Sequence, residues 1–243
     1  MTRTNIVDKE AMRRHMFGTY TSLRIGMAVI AFAYPILLYF SGRSDGINLQ
    51  GSISAYYWAS NSIDSPVRIW FAGGLLVIAA FLYLYKGFTI RENIALNFAA
   101  AFAISVVYFP MEWNCNSALG RVAPQSVTYC FGGVNPHGIS AVALFACLVY
   151  VVFRQYKVTL PALNNPQLER IYERWYWLAC AFMIAGPASA VFLHVVAGRY
   201  DKLTFFLEVA GIYGFVAYWI IKSLEMRHSQ AEANVLRGAG VQN

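Results

Sequence analysis

Six long apolar runs, separated by short segments that hold most of the charge, limit what this chain can fold into. They cover approximately residues 22–40, 67–85, 93–111, 138–156, 175–196 and 203–221. A hydrocarbon layer about 30 Å thick needs about 20 residues of α-helix to cross it, and each run approaches that length. None alternates with period two as a barrel strand would, and all are too long for one. Composition agrees: 58% of residues are hydrophobic and 13% charged, against about 25% charged in soluble domains. The expected fold is all-α, a polytopic membrane protein built as a bundle of six transmembrane helices. It forms a single transmembrane domain over residues 1–243, with short cytoplasmic tails at 1–21 and 223–243.

A basic start followed by an apolar stretch also describes a signal peptide. Here the stretch is too long, contains Pro35 and ends in F-S-G-R-S-D without a small-x-small cleavage pattern. It reads as an uncleaved first helix. The net charge of +7 raises nucleic acid as a partner, but the basic residues are dispersed among apolar runs, so no nucleic-acid partner is expected. They orient the helices instead: an N-in, C-in arrangement puts 14 Lys and Arg inside and 5 outside, the bias expected of cytoplasmic loops. Cys115 and Cys130 share one loop on the outer side. In an oxidising compartment they make a disulfide candidate, the alternative being two free thiols. Cys147 and Cys180 fall inside spans, as packing residues.

Polar side chains collect toward that outer side. The loop at 41–66 carries Ser52, Ser54, Tyr56, Tyr57 and Trp58. This is either an interfacial aromatic belt or a re-entrant segment lining a headgroup site. In the third span Asn97, Ser105, Tyr108 and Glu112 fall within an arc of roughly 80° at 100° per residue. In the sixth, Asp201, Thr204, Glu208 and Gly211 share one face. Glu208 lies roughly 8 Å inside the boundary, and a carboxylate inside a membrane marks a functional site by default. His137 opens the fourth span with Ser140 one turn deeper, and His194 ends the fifth. The ligand-binding candidates are therefore Ser54, Tyr57, Glu112, His137, Ser140, His194, Asp201 and Glu208.

Several readings suit that set. The groups can grip a lipid headgroup without catalysis, or brace the bundle by pairing with Arg199 or Lys202. Alternatively His137, His194 and Glu208 hold zinc, the one cofactor considered, which activates water against a lipid ester or amide. No fixed-spacing motif such as His-Glu-x-x-His supports the metal. A third possibility is a structural subunit of a larger membrane complex, or a homo-oligomer, with the Glu208 face toward a partner chain. An ion or proton relay is disfavoured because candidate groups collected at one side do not make a path across. A retinal Schiff base is excluded because no lysine falls inside a span.

The segments S-I-S-A-Y-Y at 52–57, Y-K-G-F at 85–88 with E-N-I-A-L-N at 92–97, F-P at 109–110 and H-G-I-S-A at 137–141 resemble a group of bacterial six-span membrane proteins. Their order is also broadly similar to the Frag1/DRAM-type family. The resemblance covers about residues 22–153 and, more loosely, the sixth span around Glu208. It implies a multi-pass protein of the bacterial inner (plasma) membrane. It also favours membrane lipids as partners, since eukaryotic members of the wider group are linked to lipid remodelling and membrane trafficking. The Cys115/Cys130 loop with its W-N-C-N is not part of it.

Overall fold

The computed structural model describes residues 9–59, 66–113, 115, 128–193 and 202–229. Over these the chain forms six long helices: α1 (Lys9–Ser44), α2 (Pro66–Leu84), α3 (Ile90–Tyr108), α4 (Pro136–Thr159), α5 (Pro166–Val191) and α6 (Lys202–Ser229). Five of them, all but α5, contain segments long and apolar enough to cross a membrane. The beginning of α5 carries Glu169, Arg170, Glu173 and Arg174, and the final residues of the expected fifth span, 194–196, lie outside the described residues. No strand occurs among the described residues; Trp113 and Tyr129 form an isolated antiparallel bridge.

Local chemistry sets the helix starts. Thr89 caps α3 by accepting from Glu92 N at 3.1 Å, and Asn135 caps α4 by accepting from Gly138 N at 3.0 Å. Asn165 caps α5 by accepting from the amides of Gln167 and Leu168. Pro136 and Pro166 follow their caps directly, where the missing N–H costs nothing.

Each helix packs on its neighbours in sequence, and α1 closes the ring against α6. The α5–α6 seam is the tightest. A methyl on Gly186 would lie 2.3 Å from Leu207 O, and one on Gly214 2.9 Å from Ala179 O. Small residues thus let the two backbones meet. Gly74 makes room for the Tyr34 ring of α1, whereas the adjacent Gly73 faces open space. Large apolar side chains cover the outside of the ring, among them Ile69, Ile90 and Phe98.

Helices α1, α3 and α6 differ from their expected spans by several residues. α1 begins at Lys9; α3 begins at Ile90 and takes in Glu92. α6 continues through Lys222 and Glu225 to Ser229. The apolar run underestimates the helix because hydrogen bonding continues past the last apolar residue wherever charged side chains find partners. In the other direction, α3 stops at Tyr108, two residues before Pro110, so Glu112 is not part of its stripe. Tyr108 is 78% exposed, which removes it from the inward-facing arc as well.

Candidate functional site

One end of the ring is closed by the loop after α1. Within it Ser54–Tyr57 winds into a short 3₁₀ turn. Ile53, Tyr56 and Ala59 are buried against Tyr34 and Leu38 of α1, Phe71 of α2 and Phe205 of α6. The segment sits in the mouth of the bundle as a plug. Its burial raises the pKa of the Tyr56 hydroxyl above the ordinary tyrosine value.

Two of the singled-out side chains hold this plug by consecutive residues. Glu208 Oε2 accepts from Ile53 N at 2.6 Å. His137 Nε2 lies 3.0 Å from Ser54 Oγ, and its Nδ1 lies 2.9 Å from Phe109 O and 3.2 Å from Val106 O. Carbonyl oxygens only accept, so Nδ1 carries the proton; in the neutral ring Nε2 then accepts from the Ser54 hydroxyl. Further bonds tie down the flanks. Ser52 Oγ accepts from Ala55 N at 3.1 Å, and Trp58 Nε1 donates to Met111 O at 2.7 Å. At the rim, Arg68 of α2 donates through Nε to Tyr57 O at 2.9 Å. Its guanidinium lies 4.9 Å from the centre of the Tyr57 ring and 5.4 Å from that of Trp58.

The expected constellation is thus redistributed. Ser54, Tyr57, His137 and Glu208 converge on the plug, and Ser140 sits below it, 2.7 Å from Ser105 Oγ. Glu112 serves a different structure, accepting from Phe131 N at 3.0 Å beside the Trp113–Tyr129 bridge. That bridge adjoins the Cys115–Cys130 disulfide, whose Cα atoms are 5.7 Å apart. His194 and Asp201 lie outside the described residues, as does Arg199. For zinc, the described residues contain no group of three or more His, Cys, Asp or Glu placed to share an ion. His137 already uses both ring nitrogens.

The opposite end of the ring holds a second polar cluster, absent from the sequence-based candidates. Arg24 of α1, Glu92 of α3 and Lys222 and Glu225 of α6 are all at most 1% exposed. Lys222 Nζ donates to Thr159 Oγ1 and pairs with Glu225 Oε2 at 3.3 Å, and the same carboxylate oxygen accepts from the Tyr176 hydroxyl. Glu92 Oε2 accepts from Phe88 N at 2.8 Å, while Asn93 Oδ1 accepts from Gly87 N at 2.6 Å. Together they lock the α2–α3 turn. A methyl on Gly87 would lie 2.1 Å from the Glu92 carboxyl carbon, which explains glycine in Y-K-G-F. Glu92 Oε1, Glu225 Oε1, the Tyr218 hydroxyl and the Trp219 indole nitrogen are buried and make no hydrogen bond among the described residues.

This cluster corrects one expectation: a lysine, Lys222, does lie within a helix of the bundle, past the limit of the expected sixth span. The usable signal was the spacing of Lys222 and Glu225, i and i+3 on a helix whose apolar face includes Trp219 and Met226. No family model matches the chain, and no curated protein or solved structure matches it.

Proposed function

We propose that this chain is a multi-pass protein of a bacterial inner membrane, N-in and C-in, that binds a lipid headgroup without catalysis at the plugged, outward-facing end. The observation that carries the reading is Arg68 stacked on Tyr57 and Trp58 at the rim of a pinned plug. Aromatic rings at headgroup depth present an apolar body and a polar edge. A guanidinium held against them offers a planar fork that matches a phosphate. In this reading Glu208 and His137 are positioning residues: they hold the turn that carries Tyr57, and the headgroup meets Arg68. The Lys and Arg bias of 14 to 5 supports the orientation, and so does the Cys115–Cys130 disulfide, since such bonds persist in oxidising compartments. The resemblance to Frag1/DRAM-type proteins points the same way.

The test is native mass spectrometry of the purified protein with bound phospholipid. Arg68→Gln and Tyr57→Ala are each expected to lose a lipid adduct that the unaltered protein retains; unchanged adducts in both variants would sink the reading. The zinc-dependent hydrolase would displace it if purified protein carried stoichiometric zinc that His137→Ala loses.

A further inference from the structure

The plug does not use a groove at the opposite end, between the start of α3 and the end of α4. It has a volume of about 380 Å³ and is lined by Thr89, Ile90, Arg91, Tyr150, Arg154 and Val158. Two cations face it, and no acidic residue lines it. Both arginines are exposed, and neither makes a hydrogen bond or ion pair among the described residues. Two guanidiniums left without counter-ions beside one groove repel each other. That arrangement is relieved by an anion that accepts from both.

The rest of the lining selects the anion. Ile90 is 78% exposed and Val158 49%, an apolar wall that a free inorganic ion would leave bare. Ile94 and Phe98 follow Ile90 at i+4 and i+8, so the wall continues along α3, and both are about half exposed. A ligand with an anionic head and long apolar chains covers both features at once. The groove also meets the first turn of α3, a 19-residue helix, whose positive end favours negative charge there.

We propose that this groove binds an anionic phospholipid, its phosphodiester between Arg91 and Arg154 and an acyl chain along Ile90, Ile94 and Phe98. Basic grooves between transmembrane helices on the positively charged side recognise such lipids. Headgroup choice follows from charge. A glycerol headgroup adds hydroxyls that hydrogen-bond freely, whereas the ammonium of choline or ethanolamine would enter a field already set by two cations. This site is separate from the Arg68 rim and stands or falls without it.

The experiment titrates detergent-solubilised full-length protein with phosphatidylglycerol or phosphatidylcholine of matched chains and reads adducts by native mass spectrometry. The expected results are at least tenfold preference for phosphatidylglycerol, and loss of that preference in Arg91→Gln/Arg154→Gln. Arg170→Gln/Arg174→Gln removes the same charge from exposed positions on α5 and is expected to bind within twofold of the unaltered protein. Equal loss in the α5 variant would reduce the effect to diffuse charge and overturn the site. So would undiminished preference in the α3–α4 variant. Competition by chain-free glycerophosphoglycerol at the lipid's own concentration would overturn the apolar wall as part of it.

Discussion

Replacing Glu208 separates an anchoring carboxylate from one retained for its charge. Its Oε2 accepts from Ile53 N at 2.6 Å, the main-chain amide at the head of the plug. Alanine removes the acceptor and leaves that amide in the mouth of the bundle without a partner, at a cost of about 2–3 kcal/mol for a bond to a charged group. Glutamine keeps a carbonyl oxygen on a side chain of the same length, so its expected cost is within about 1 kcal/mol. The difference corresponds to about 5 °C in melting temperature for a chain of this size. Ala59 is 0% exposed, so a thiol introduced by Ala59→Cys reports whether the plug has lifted. Glu208→Ala should raise its maleimide labelling several-fold, and Glu208→Gln should leave it near the starting rate. His137→Ala releases the adjacent residue, Ser54, so the two alanine variants combined should cost less than their sum by about 1 kcal/mol. If Glu208→Gln is as damaging as Glu208→Ala, charge rather than hydrogen bonding is what matters there, and the anchoring account is wrong.

Four further variants test the bundle. Gly186→Ala puts a methyl 2.3 Å from Leu207 O, a backbone atom that cannot swing away; α5 and α6 must separate, at about 1–3 kcal/mol. Gly73→Ala, which faces open space, should be neutral or stabilising in the same melting experiment. Lys222→Met leaves Glu225 buried without its cation and should cost about 3–5 kcal/mol, whereas Lys222→Met/Glu225→Leu should recover more than half of that loss in denaturant titration.

Much of the architecture is legible along the chain. Helix type and approximate position follow from apolar run length, because a helix satisfies its own backbone and needs only an apolar surface to sit in lipid. The disulfide pair is legible from two cysteines in one loop, and Glu208 and His137 from the oddity of ionisable groups bordering apolar runs. What Glu208 and His137 do is not legible. Their partners are Ile53 N and Ser54 Oγ, 155 and 83 residues away in the chain, and neither a main-chain amide nor a single serine hydroxyl leaves a distinctive mark in sequence. Glu112 does not share the α3 stripe because the helix ends at Tyr108, before Pro110, and its carboxylate accepts from Phe131 N.

The second cluster was legible least of all. Arg24, Glu92, Lys222 and Glu225 each stand at the edge of an apolar run, where a charged residue ordinarily meets water, and hydropathy treats that position as the end of a span. Apolar run length and charge counting yield six helices, their approximate limits and a biased distribution of charge. That all four edge charges are buried, with Lys222 on Thr159, Glu225 on Tyr176 and Glu92 on the α2–α3 turn, emerges only when the helices pack. The physical reason is that burial of a charge depends on what stands opposite it. That partner belongs to another helix, beyond the reach of any local pattern.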